Sequence, residues 1–185
     1  MLSGGNVRQL PRAVLLKSGY DADALRSEVE AVPRHLWAPI VSHRNLAWYG
    51  VALRSADGDP STMGYGESCV DTPLMDAMPE TRSVVGDVGD ELLRVRLLAL
   101  QPGADIGTHV DEPAGERKEA RLHLPITTNP EASFSVEGEE VTMGAGELWW
   151  FNVGLPHSAR NGGDSPRVHL VIDCVHGVWL DGRLP

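Results

Sequence analysis

The stretch IGTHVDEPAGERKEARLHLP, residues 106–125, sets His109 and Asp111 two apart, then Arg121 and His123 two apart, within apolar runs. In an extended strand, residues i and i+2 point to one face. An imidazole and a carboxylate therefore project together from one strand end, and a guanidinium and a second imidazole from another. Burying such groups unpartnered is costly, so they call for partners or a ligand. A third donor would complete the two-histidine, one-carboxylate face that holds ferrous iron and leaves coordination positions open. The candidate is His157 in GLPHSARN, at the start of a later strand-like run. Arg167 opens the next run, RVHLVIDCV. A guanidinium pointing into a barrel needs an anion, and its planar fork suits a carboxylate. With Arg121 and His123 as further donors, the set suits a metal-chelating dicarboxylate.

Elements must bring these residues together. From residue 92 onward come LLRVRLLALQ, ADIGTHV, EARLHLPIT, ASFSVEG, EEVTMG, GELWWFNV, HSARN and RVHLVIDCV, separated by turn signals such as QPG, NP, EG and NGGD. Eight short runs without helical pattern between them argue against a parallel βαβ sheet and for a sandwich or barrel. A mainly β, jelly-roll or cupin-like double-stranded β-helix fits best. Ahead of it, YDADALRSEVEAV reads as a helix capped by aspartate and LAWYGVALR as a strand. GDPSTMGYGES reads as loop, and TPLMDAMPETRSVVGDVG as one or two short helices starting at prolines. The expected organisation is one domain: residues 1–90 as a helical layer with one or two strands, 91–176 as the double-stranded core, and 177–185 as a tail.

The chain has 185 residues, enough for a sizeable core, and a net charge of −10. That balance argues against nucleic acid or an anionic membrane surface, both of which reward clustered Lys and Arg. No apolar run reaches the ~20 residues a spanning helix needs. The N-terminal AVLL lacks a cleavage pattern. The two cysteines, Cys69 and Cys174, have no metal-like spacing and read as inert. A reduced, cytoplasmic protein is the expectation.

RVRLLALQPGADIGTHVD, RLHLPITTNP, GELWWFNVGLPHSARNGG and RVHLVIDCV, in this order and spacing, resemble the aspartyl/asparaginyl β-hydroxylase-type 2-oxoglutarate- and Fe(II)-dependent oxygenases, which include bacterial proline hydroxylases. The resemblance covers roughly residues 90–176, and DTPLMDAMPETRSVV is a shorter echo of the proline-hydroxylase branch. It implies that His109, Asp111 and His157 bind Fe(2+), and that Arg167 holds the distal carboxylate of 2-oxoglutarate. Arg121 and His123 would then lie near its chelating end. With O2 as co-substrate, the implied reaction hydroxylates an unactivated C–H bond of an amino acid or a peptide or natural-product derivative, releasing succinate and CO2. Desaturation, epoxidation and cyclisation use the same iron chemistry.

Two departures stand out. Animal members of the family lack the carboxylate ligand, which here is Asp111; that aspartate also argues against a halogenase, which needs the position for chloride. Those members also carry a serine where this chain has Leu98. The alternative from another class is a cupin-like protein that binds a metal or small acid without redox turnover.

The loop EPAGERKEA follows the metal candidates directly, and loops at a barrel mouth read substrate. Arg117 and Lys118 are thus candidates to pair with a substrate carboxylate. Trp149 and Trp150 alternate faces, so one belongs to the core; Trp150 is the candidate to face the opening. Trp37 and Trp48 read as packing, His35, His43 and His176 as structural histidines, and His169 as a neighbour of Arg167.

Overall fold

The computed structural model describes residues 10–40, 47–66, 68–111 and 118–185; His43 and Arg117 lie outside the described residues. The first half forms β1 (Ala13–Lys17), α1 (Ala22–Ala31), β2 (Ala38–Pro39), β3 (Trp48–Ser55), β4 (Val70–Asp71), α2 (Pro73–Asp76) and α3 (Pro79–Gly86). Then follow β5 (Leu92–Leu100), β6 (Asp105–His109), β7 (Glu119–Thr127), β8 (Ala132–Val136), β9 (Glu139–Glu140), β10 (Leu148–Phe151), β11 (His157–Asn161), β12 (Arg167–Val175) and α4 (Val178–Asp181). Each of the eight runs read from residue 92 onward is a strand.

Those eight strands divide four and four. The larger sheet has the order β1-β10-β7-β12-β5-β3-β2, with β4 on β3, and the smaller one β6-β11-β8-β9. The chain is mainly β, with a double-stranded, cupin-like core. Besides its helices, the N-terminal part supplies the strand expected over LAWYGVALR, β3, paired with β5 at one edge, and a strand not read from the sequence, β1, paired with β10 at the other. The apolar AVLL segment is strand β1, so the main sheet is extended on both sides by the chain that precedes it.

Strand alternation explains the layering. On β12, Val168, Leu170, Ile172 and Cys174 join the core beneath the helices, whereas Arg167, His169, Val171 and Asp173 alternate with them. On β5, Val95, Leu97 and Ala99 face that same core; on β7, Ala120, Leu122, Leu124 and Ile126 do. Leu25 and Val29 of α1 and Val84 and Val85 of α3 close it from outside. Full burial of each of these Val, Leu and Ile side chains contributes about 1.5–3 kcal/mol. A second, smaller cluster, with Leu100, Phe134, Val136 and Phe151, packs between the two sheets.

Local chemistry sets the ends of the elements. Asp21 caps α1 by accepting from the amides of Asp23 and Ala24. Pro73 and Pro79 open α2 and α3, where a missing N–H costs nothing. Glu28 on α1 accepts from the amides of Glu80 and Thr81 at 2.6 and 2.9 Å, so one helix satisfies the free donors of the next. Between β8 and β9, Glu137 and Gly138 both have positive φ, 52° and 78°, as a two-residue type I′ hairpin turn demands.

Candidate metal centre and anion-binding cavity

The smaller sheet brings the first two candidate ligands together. His157 at the start of β11 pairs in register with His109 at the end of β6, and their ring centroids are 4.3 Å apart. Asp111 lies two residues beyond β6, tied by its amide to the carbonyl of Val153. Ligand atoms of His109, Asp111 and His157 all lie within 4.8 Å of one another. His109 Nδ1 lies 2.9 Å from the carbonyl of Gly107, and His157 Nδ1 lies 2.9 Å from that of Leu155. Each Nδ1–H donates to a carbonyl, so each Nε2 keeps its lone pair, the tautomer a metal ligand needs. The two Nε2 atoms face Asp111 Oδ1 at 3.5 and 3.8 Å.

Charge matches this donor set. Burial pushes the His157 imidazole below its ordinary value and keeps it neutral. Burial alone would raise the Asp111 carboxyl, but the contact with His109 and the Arg121 guanidinium bring it down to about 2. Two imidazoles and one carboxylate on one side of a cavity suit a divalent cation with open positions.

The larger sheet supplies the opposite wall. Arg121 and His123 on β7, Arg167 and His169 on β12, and Arg96 on β5 line one cavity with the three ligand candidates. Arg167 is 7% exposed, and no carboxylate pairs with it among the described residues; its Nη2 contacts His169 Nδ1 at 3.3 Å. Burial lowers the Arg167 guanidinium to about 10, still charged at neutral pH. Burial, reinforced by neighbouring guanidiniums, holds His123 and His169 neutral. His123 Nδ1 is buried without a partner among the described residues.

Behind this wall lies a buried ion cluster. Asp173, 1% exposed, accepts from Arg94 Nε at 3.0 Å, Arg96 Nη2 at 2.7 Å and Arg121 Nε at 2.7 Å. Burial opposes its ionisation, but Arg96, Arg121 and Arg94 outweigh it and hold the carboxyl far below the usual range. Arg121 also donates from Nη1 to Asp111 Oδ2 and from Nη2 to the Tyr65 hydroxyl. The Tyr65 ring lies over Arg94, 3.2 Å from guanidinium carbon to centroid. A loop residue thus covers the cluster.

A profile of the Aspartyl/Asparaginyl beta-hydroxylase family matches residues 21–177. The chain belongs to that family. L-proline cis-4-hydroxylase of Rhizobium meliloti (strain 1021) is 29% identical over 131 residues, covering 68% of this chain and 47% of the relative. The chain thus spans about half the length of that curated relative. An oxidoreductase of the 2OG-Fe(II) oxygenase family from Burkholderia pseudomallei superimposes with a TM-score of 0.60 at 15% identity, covering 89% of this chain and 84% of that one. HygX from Streptomyces hygroscopicus, solved with nickel and 2-oxoglutarate bound, gives 0.54 at 12% identity, covering 88% and 81%. These two likenesses concern the fold.

In this family member several residues sit otherwise than the sequence led one to expect. Trp150, expected at the opening, is 3% exposed in the core beneath the helices. Its neighbour Trp149 takes the barrel side instead, because odd positions of β10 oppose Arg121 and His123 of β7. Lys118 is exposed and does not line the cavity. Trp48, expected to pack between layers, does line it, since β3 has joined the main sheet. Arg121 has Nε, Nη1 and Nη2 all engaged with protein groups, so it holds Asp111 rather than presenting a free fork. Leu98 does lie in the cavity wall. His35 and His176 stand away from it, the latter bonded to Asp181 at 2.8 Å. Arg94, Arg96, Tyr65 and Asp173 were not singled out from the sequence; the alternation R-V-R on β5, opposite an aspartate on a neighbouring apolar strand, was the available signal.

Proposed function

We propose that this chain is an Fe(II)- and 2-oxoglutarate-dependent hydroxylase acting on an amino acid or an amino-acid derivative. One observation carries the reading: a tautomer-fixed His–Asp–His cluster shares its cavity with Arg167, a buried guanidinium without a carboxylate partner. A protein that held only a metal would have no use for that second feature. Membership of the family and the similarity to a proline hydroxylase support the same reading.

In this reading His109 and His157, through Nε2, and Asp111, through Oδ1, hold the metal. When bound, iron(II) with 2-oxoglutarate supplies the oxidising chemistry: O2 is consumed, the oxo-acid leaves as succinate and CO2, and one oxygen atom enters a substrate C–H bond. Arg167 receives the distal carboxylate in a bidentate, charge-assisted contact. His123 lines the same cavity near Arg121 and Arg167. Arg121 fixes the rotamer of Asp111 from behind, the supporting role that partners of metal ligands play. Phe134, Leu98, Leu100 and Trp48 give the cavity apolar walls that exclude water.

The test is succinate release under air with Fe(II), ascorbate and 2-oxoglutarate, with and without pooled L-amino acids and short peptides. Substrate-stimulated succinate and a product one oxygen atom heavier are expected. No succinate from iron-loaded protein would sink the reading and leave a metal- or acid-binding protein. No helix among the described residues is long and apolar enough to cross a membrane.

A further inference from the structure

We infer that a second cavity, opening at the far end of the barrel behind Arg167, is the passage by which the 2-oxo-acid enters and succinate leaves. The inference rests on the oxygenase reading and adds to it a route that stays open while substrate sits over the metal.

This rear cavity has a volume of about 380 Å3, within the ~300–1,000 Å3 range of small-molecule sites. Its rim carries Thr128, Glu140 and Thr142, all exposed, from β9 and the loops on either side of the β8–β9 hairpin. Its floor is Phe134, Arg167 and His169, and the same three side chains line the metal cavity. Two cavities thus meet at one partition, and the guanidinium that suits the oxo-acid's distal carboxylate stands in it.

Strand register places this partition away from the metal ligands. Arg167 pairs with Leu100, whose carbonyl accepts from Asn161 Nδ2 at 2.8 Å, so Arg167 lies beside the end of β11. His157 opens that strand four residues earlier, roughly 13 Å away at about 3.3 Å per residue. Asn129, in the rear wall, donates to Asn161 Oδ1 at 2.9 Å, which fixes the rear cavity at the Arg167 end. On the metal side the side chains of His109 and Asp111 are 32% and 23% exposed, whereas Arg167 and His169 are buried. An oxo-acid reaching from the metal to Arg167 therefore lies deeper than the metal, and a substrate over the metal closes the front exit behind it.

The wall suits transit better than storage. Glu140 at the rim repels a dianion, and the one cationic side chain lining the rear cavity is Arg167 at its floor. Attraction therefore draws the acid through to the partition instead of holding it at the mouth. Arg167 contacts a neutral imidazole, His169 Nδ1, at 3.3 Å, and no carboxylate pairs with it among the described residues. Its guanidinium can turn from one cavity to the other without breaking an ion pair.

The experiment follows 2-oxoglutarate binding to Mn(II)-loaded protein by stopped-flow tryptophan fluorescence, with Kd measured separately by calorimetry. The slope and intercept of the observed rate against concentration give the association and dissociation rates. Combining Thr128→Phe with Thr142→Phe narrows the rim at two exposed positions, and Glu140→Lys replaces repulsion there by attraction. The narrowed protein should show association and dissociation both about tenfold slower with Kd within about twofold, because an obstructed path slows both directions and leaves the equilibrium alone. Glu140→Lys should speed association by roughly twofold or more at low ionic strength. It adds no bulk, so misfolding of the narrowed protein does not decide the matter. Parent-like rates in both variants would mean entry from the metal side. Slower association with unchanged dissociation would mean a damaged site and not a blocked path; either result overturns the inference. Failure of the parent to bind 2-oxoglutarate would refute the oxygenase reading itself, whereas binding with rates that neither variant moves refutes the passage alone.

Discussion

Arg121 and Asp111 are bonded directly, guanidinium Nη1 donating to carboxylate Oδ2, while Asp111 Oδ1 is left facing the Nε2 atoms of His109 and His157. One carboxylate oxygen is thereby assigned to support and the other to the metal. Because Nε of Arg121 is anchored on Asp173, Asp111 is braced from the sheet behind it.

Loosening that brace should weaken metal binding without removing a ligand. Arg121→Gln is expected to lower divalent-metal affinity by roughly 10–100-fold, the usual effect of losing a partner behind a ligand. Competition of the protein with a chromophoric chelator for Mn(II) measures it. Affinity within twofold of the parent, in protein with unchanged circular dichroism, would mean that Asp111 is held by its loop alone.

Asp173 is the keystone of the arginine cluster, and its removal leaves Arg94, Arg96 and Arg121 sharing no buried counter-charge. Breaking a buried ion pair from one side typically costs about 3–5 kcal/mol. Asp173→Asn should lose about that much in urea unfolding at pH 7. The acid dependence follows from sign. The folded-state pKa of Asp173 lies below its unfolded value of about 3.9, so its contribution is complete above that value. It fades only as pH falls through the folded-state value. The parent should therefore lose stability below about pH 4, and the variant should show a shallower loss there. Parallel acid profiles would show that other carboxylates carry the effect.

Arg167 offers the sharpest check on the cofactor. A charge-assisted hydrogen bond contributes about 1.5–3 kcal/mol, so losing a bidentate pair weakens 2-oxoglutarate binding by roughly 100-fold or more. Arg167→Ala should show this by anaerobic calorimetry with Fe(II), and Arg167→Lys should recover part of it. Parent-like affinity in Arg167→Ala would place the distal carboxylate elsewhere.

The parts of this molecule that follow from strand alternation were readable in the chain. The eight runs after residue 92, the shared face of His109 and Asp111, and the helical starts at Pro73 and Pro79 all follow from period, capping and turn chemistry. What failed to read out depends on pairing between distant strands. Arg94 and Arg96 stand two apart on one face as plainly as Arg121 and His123. Only the adjacency of β5 and β12, however, puts Asp173 against them. Tyr65 sits in a loop with no period to reveal that it covers Arg94. The strand β1 was hidden because five residues at an edge carry too few alternations to be told from a short apolar patch.

The tryptophan pair shows the same limit and allows a test. Alternation says that Trp149 and Trp150 point to opposite faces, but which face is the barrel depends on register with β7. Trp150 lies among the side chains beneath α1, so Trp150→Ala should cost about 3–5 kcal/mol of stability, as large-to-small core changes do. It should leave the substrate KM of the folded protein near the parent's. Trp48, half-buried in the cavity wall, should behave in the opposite way. Trp48→Ala loses less stability, because part of its ring already faces solvent-accessible space, but it opens the apolar wall of the cavity. A raised substrate KM and more succinate formed per product are expected, since a looser site commits oxidation without a positioned C–H bond. Urea unfolding and paired succinate and product assays separate the two variants. If Trp150→Ala raised KM while Trp48→Ala only lowered stability, the barrel side of β10 would have been assigned to the wrong indole.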